Sequence, residues 1–167
     1  SLDGLVIWHD APFAVGANLK QISDACVAGD FDRLEQTVVK FQQATMAVKY
    51  AQLPVVAAVQ GMALGGGCEF AMHAAKRVLA LESYLGLVEV GVGLIPAGGG
   101  CKEFAMRAAA EAKGGDMFPF LKNYFQNVAM AQVGKSAEHS RELGYLRPSD
   151  RIVMNRFELL HAAKAEL

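Results

Sequence analysis

Two carboxylates stand where an apolar chain has little use for them. Glu69 follows the run Gly65-Gly66-Gly67 in "GMALGGGCEF" (61–70), and Glu89 interrupts the apolar "GLVEVG" (86–91). Burying an unpaired carboxylate is costly, so acids in such segments point to chemistry. Two of them form an acid/base pair able to add or remove water. The glycine run is a poor choice inside any regular element, because Gly loses the most backbone freedom on folding. At a strand-to-helix turn, however, it exposes backbone N–H groups at the positive end of a helix. Simpler readings exist for each acid alone. Glu69 would complement the helix N-terminus, and Glu89 would pair with a buried arginine such as Arg77.

Exposed N–H groups at such a turn hold a phosphate or a developing oxyanion. A P-loop needs GxxxxGK[ST], which neither glycine-rich stretch supplies. A dinucleotide fingerprint needs GxGxxG, and "GVGLIP" (91–96) fails at its third glycine. A carboxylate three residues after Gly66 would also repel a phosphate. The oxyanion reading fits better, since Glu69 lies on the same first turn as Gly66 and both can face one point.

The elements that would carry these residues read as an α/β chain. "GLVIWHD" (4–10), "PVVAAVQGMA" (54–63) and "RVLALES" (77–83) are apolar, non-alternating strands, which is the signature of parallel pairing. Residues 11–22 open as a loop and end as the start of a helix. A long amphipathic helix is predicted over 30–50, with Asp30 as its N-cap and Phe31, Leu34, Val38, Phe41, Thr45 and Val48 on one face. "FAMHAAK" (70–76) continues a helix after the glycines, and residues 84–100 read as short apolar pieces broken by Gly and Pro. Helices follow at 101–113, 117–133, 135–143 and 155–167, with a turn at 147–150. Trp8 is expected in the core.

The chain has 167 residues and a formal net charge of −1. That length suits one domain and an ample core, and that charge offers no attraction to nucleic acid or a membrane surface. No apolar run approaches the roughly 20 residues of a membrane span, and no secretory pattern opens the chain, so a cytoplasmic location is expected. Cys26, Cys68 and Cys101 form no CxxC pair and are expected as buried thiols. The four histidines show no metal-ligand spacing, and no metal is expected. His73 reads as a packed or surface residue.

The stretch "LPVVAAVQGMALGGGCEFAMHAAKRVLALESYLGLVEVGVGLIPAGGG" (53–100) closely resembles the crotonase, or enoyl-CoA hydratase, superfamily. "FAVGANLKQI" (13–22) resembles that family's upstream element. The resemblance implies a repeated ββα spiral with parallel sheets and C-terminal helices, with a spiral core over 1–115 and a helical region over 116–167 in one domain. It also implies an oxyanion hole formed by the backbone N–H groups of Ala17 and Gly66. Glu69 and Glu89 would act on one water that adds across the 2,3 double bond of an enoyl-CoA, with their order left open. Ala14, Ala17, Leu19 and Lys20 would receive coenzyme A, Lys20 having the chemistry for phosphate.

The chain departs from the family at Asn18, which replaces a usual Asp, at Val88, which replaces a Pro, and in "IPAGGGCKEFAMR" (95–107). The last variant, with "SAEHSRELGYLRPSDRIVMN" (136–155), looks like the hydratase-type part of bacterial 3-hydroxyacyl-CoA dehydrogenase fusion proteins of fatty-acid oxidation. A Rossmann domain using NAD would then lie in the parent protein, and this chain itself would hold no cofactor. A strand so near residue 1 is expected of a piece of a longer protein that lacks the family's first β-hairpin and helix. The resemblance further implies trimers or pairs of trimers, or packing on a dehydrogenase domain. Two other readings stay open. One is an isomerase moving a double bond from position 3 to 2, which one Glu can serve. The other is a non-catalytic module, which has no need of either acid.

Overall fold

The computed structural model describes residues 2–167. Four strands form one sheet in the order β1 (Leu5–Trp8), β2 (Val55–Leu64), β3 (Lys76–Gly86) and β4 (Arg151–Val153), all parallel. Around it lie α1 (Leu19–Ala28), α2 (Phe31–Lys49), α3 (Gly66–His73), α4 (Gly100–Ala112), α5 (Phe118–Ala129), α6 (Ala137–Glu142) and α7 (Leu159–Lys164). Short 3-10 turns span Glu89–Val92 and Arg156–Glu158.

The apolar runs become strands because both sheet faces are covered. Ala57, Val59, Leu79 and Leu85 pack with Met72, Phe104 and Tyr145 on one side. Val56, Ala58 and Val78 pack with Leu159, Ala162 and Ala163 on the other. A parallel strand buried on both faces has no reason to alternate.

Caps set the helix ends as their residue types require. Asn18 Oδ1 accepts from the Gln21 N–H at 3.2 Å, so the residue that replaces an acid here still supplies the acceptor a cap needs. Asp30 caps α2 as expected, accepting from the Arg33 N–H at 3.3 Å.

Several expectations are corrected. The α3 helix starts at Gly66, four residues early, so two of the three glycines belong to its first turn; it ends at His73, where Ala74 turns extended. The third strand runs on to Gly86. The segment 116–167 is not purely helical, because β4 joins the sheet there; three residues are too few to show a pattern, and the pairing with β3 alone makes them a strand. The last helix begins as a 3-10 turn and is regular only over Leu159–Lys164. Along the predicted apolar face of α2 only Thr45 is buried, while Phe31 and Val38 are exposed, because close packing of this helix begins at Phe41. Trp8 is 45 % exposed: β1 is the edge strand, and the ring lines an open cleft. Of the cysteines only Cys68 is buried.

Candidate active site

The glycine run solves a packing problem before any chemistry begins. Gly65 ends β2 with φ 53° and ψ −126°, a conformation costly to any residue with a side chain. A β-carbon on Gly67 would lie 2.5 Å from that of Ala14, so only glycine lets the 13–17 loop approach this closely. That loop is fastened to β2. The Ala14 N–H donates to Met62 O at 3.0 Å, and Ala14 O accepts from the Leu64 N–H at 2.9 Å. Ala17 and Gly66 thereby come to border one apolar cleft of about 470 Å³, with Trp8, Phe13, Thr37 and Phe41. Gly66 is the first residue of α3, where an N–H has no acceptor within the helix.

Glu69 is 2 % exposed, and each carboxylate oxygen is held by backbone. Oε2 accepts from the Gly98 N–H and Oε1 from the Gly100 N–H, both at 2.9 Å. Burial raises its pKa, while the amides of Gly100, Gly98 and Gly99 act the other way. His73, on the next turn, is buried as well; its Nδ1 lies 2.7 Å from Glu69 O. Burial holds its imidazole below the usual histidine range. The far end of α3 is locked by Arg77, fully buried, which donates to Met72 O and Ala74 O and pairs with Asp150 at 2.6 Å. Arg77 is therefore not the partner of Glu89.

Glu89 opens the 3-10 turn after β3. Its Oε1 sits 3.2 Å from where a β-carbon on Gly65 would lie, a point also 3.9 Å from Gly16 Cα. Glu89 thus reaches the point where the 13–17 loop meets the head of α3, the two segments that carry the candidate N–H donors. Its Oε2 is buried without a hydrogen-bond partner among the described residues. Burial, with a smaller contribution from the Glu69 charge, pushes its pKa up to about 7.

A second apolar space, a groove of about 780 Å³, is walled by Val90, Ile95, Cys101, Phe118, Leu121 and Phe125 among others. Val90 adjoins Glu89, and Cys101 adjoins Gly100, which holds Glu69. Phe118 and Phe125 of α5 line the groove together with Tyr124, which stacks on Phe104 with ring centroids 4.4 Å apart.

The remaining sequence candidates are less committed. Leu19 is 48 % exposed. Lys20 is exposed and pairs with Asp24 at 2.7 Å, one turn along α1. In the sequence Phe41 reads as one residue of a helix face and the "PAGGG" turn (96–100) as part of the family resemblance, and neither points to a contact with Gly66 or Glu69. The ring of Phe41 lies against both Gly66 and Gly98. Among the described residues no group of three metal-ligating side chains occurs, and no helix is long and apolar enough to cross a membrane.

Residues 5–129 match the family model "Enoyl-CoA hydratase/isomerase". A Bacillus subtilis protein described as "Probable 3-hydroxyacyl-CoA dehydrogenase" is 42 % identical over 162 residues, covering 96 % of this chain and 20 % of that protein. The crotonyl-CoA hydratase of Syntrophomonas wolfei is 40 % identical over 93 residues, covering 54 % of this chain and 34 % of the relative. The crystal structure of an enoyl-CoA hydratase from Bacillus anthracis superposes with a TM-score of 0.75 at 22 % identity, over 98 % of this chain and 57 % of that one. This likeness shows the fold. The chain spans about a fifth of the Bacillus subtilis relative's length.

Proposed function

Because the chain belongs to the enoyl-CoA hydratase/isomerase family, we propose that it hydrates a trans-2-enoyl-CoA to the 3-hydroxyacyl-CoA. The observation that supports this most directly is the convergence of Glu89 with Gly65 and Gly16, neighbours of the two N–H donors, beside a Glu69 whose two oxygens are already fixed.

In this reading the thioester oxygen lies between the N–H groups of Ala17 and Gly66. They take up the negative charge that the oxygen gains as the double bond is attacked. Water adds through its oxygen to C3, and one of its protons leaves. C2 gains a proton, and the C2–C3 double bond becomes single. Glu69 is the acceptor: its amide bonds counter the upward pull of burial and hold both oxygens in place, with lone pairs left for the water. Glu89 is the donor, since its half-buried carboxyl keeps a proton near neutral pH. The N–H pair lowers the barrier by stabilising charge, and the acids spare the reaction free hydronium or hydroxide.

The apolar groove walled by Val90 and Cys101 would take the acyl tail. Ala14, Ala17, Leu19 and Lys20 would meet coenzyme A, with Lys20 leaving Asp24 to face a phosphate. As part of a longer multifunctional protein of fatty-acid oxidation, the chain would pass its 3-hydroxyacyl product to a separate NAD-dependent dehydrogenase domain. An isomerase needs only one carboxyl, so the paired acids favour hydration.

The test is hydration of crotonyl-CoA, followed as loss of absorbance of the conjugated thioester. Turnover should be present in the chain and lost in both Glu69→Gln and Glu89→Gln. Turnover that survives in either variant would remove the two-acid reading.

A further inference from the structure

A peptide unit that holds Glu69 is itself held, from the opposite side, by α2. Gly98 N–H, which donates to Glu69 Oε2, belongs to the same peptide plane as Ala97 O, and Ala97 O accepts from Gln42 Nε2 at 2.8 Å. The next plane is held by the same helix: its carbonyl, Gly98 O, accepts from the Thr45 hydroxyl at 2.9 Å. In a trans peptide the C=O and N–H point in opposite directions. The first plane is therefore gripped by α2 at its oxygen and by Glu69 at its nitrogen, and α2 also grips the oxygen of the plane that follows it at Gly98.

Such a grip matters in this sequence. Residues 98–100 are all glycine, with Gly99 at φ 107°, so the backbone alone does little to fix which way these peptides face. Donation to a carbonyl also polarises its peptide and strengthens the N–H on the far side. Thr45 is 1 % exposed, so its hydroxyl has no solvent alternative and shares its donation between Gly98 O and Gln42 O of its own helix, each at 2.9 Å. Phe41, one turn earlier on α2, fills the space between Gly66 and Gly98 and also borders the cleft of Ala17.

We infer that Thr45 is a positioning residue for Glu69, acting through Gly98, whose carbonyl it holds and whose N–H donates to Glu69, with Gln42 as a second hold on the preceding plane. The inference rests on the acid/base role proposed for Glu69. Thr45 meets neither substrate nor water. It sets the direction of an amide that keeps the Glu69 carboxyl in place and counters the upward pull of burial on its pKa. The titratable groups that feel the charge of Glu69 are Glu89 from the 3-10 turn, Cys101 from α4 and Cys68 from its own helix. None of them is touched by a change at Thr45.

The test uses Thr45→Val, which keeps the branched shape and removes the O–H, beside Thr45→Ser, which restores it. The Glu69 side chain is titrated by carbon-13 NMR in the substrate-free chain, and kcat and KM are measured with crotonyl-CoA. In Thr45→Val, Glu69 should titrate at higher pH than in the unmodified chain, and kcat should fall about tenfold with KM little changed. Thr45→Ser should return both values. An unmoved Glu69 titration in Thr45→Val, or a Ser variant as impaired as the Val variant, would overturn the inference. If Thr45→Val does not fold, Gln42→Ala, at an exposed position, must raise the Glu69 titration in the same sense, and an unmoved titration there overturns it equally. An unmodified chain without hydration activity, in which Thr45→Val still moves the Glu69 titration, would uphold the positioning and sink the hydratase reading instead.

Discussion

One oxygen of Glu89 lies 3.2 Å from the position that a β-carbon on Gly65 would occupy. The two residues are 24 positions apart, and each explains the other. Gly65 is a glycine because its backbone is left-handed and because a carboxyl stands over it. Glu89 reaches the head of α3 because nothing projects from Gly65.

Gly65→Ala should therefore damage the protein twice. The φ of 53° costs an alanine about 1–3 kcal/mol, visible as a lower urea midpoint. Turnover of crotonyl-CoA should fall further than the stability loss explains, because the methyl displaces the proton donor. Unchanged kcat in a folded Gly65→Ala would contradict the role given to Glu89.

Glu89 also makes a pH prediction. Its folded pKa of about 7 is above the 4.5 of the free group, so the folded state binds the proton more tightly. Its contribution to stability is complete below about pH 4.5 and is lost as pH rises through 7. Glu89→Gln, which cannot ionise, should then be more stable than the unmodified chain at pH 8, by about 1–2 kcal/mol after allowance for solvent screening. The two should converge only as pH falls below about 4.5. The same proton is the one delivered to C2, so kcat/KM should decline above pH 7. Thermal melts from pH 8 down to below about pH 4.5 and a pH–rate profile check both parts.

Gly98 is the tightest position of the site. A β-carbon there would lie 2.1 Å from Phe41 Cε1 and 2.6 Å from Glu69 Oε2. Gly98→Ala should lose about 1–3 kcal/mol through overpacking and nearly all turnover. Adding Phe41→Ala should make room and recover part of the stability. Turnover should stay low, because the clash with Glu69 remains; full recovery of activity in the double variant would show that the carboxyl tolerates displacement.

Asp150 supports the site from a distance. It accepts from the Arg77 N–H at 3.0 Å, Arg77 Nε at 2.6 Å and the Arg147 N–H at 2.6 Å. Asp150→Ala leaves the fully buried Arg77 guanidinium, which caps α3, without its counter-charge. A loss of about 3–5 kcal/mol is expected in urea unfolding. KM for crotonyl-CoA should hold under conditions where the variant remains folded. A shift below 1 kcal/mol would show that Arg77 finds another partner.

The sequence by itself determined the parallel α/β architecture, the capped start of α2, the glycine turn into a helix and the two acids worth attention. Each of these is written in local chemistry: unbroken apolar runs, a cap residue, glycines where a backbone must turn, and charge in apolar surroundings. The fate of Trp8 was different, because whether an aromatic is core or cleft wall depends on its strand being the edge of the sheet. β4 was hidden for a similar reason, since three residues become a strand only when a neighbour pairs with them. The partner of Arg77 and the hold of α2 on residues 97–99 join positions more than 50 apart in the chain, and no periodicity records such a meeting. Most of all, only the tertiary structure separated the two acids. Both are glutamates in apolar segments, but backbone amides fix the oxygens of Glu69, while Glu89 has one oxygen without a partner. A side chain's protonation is set by what surrounds it in space, and those surroundings come from residues that the sequence places far away.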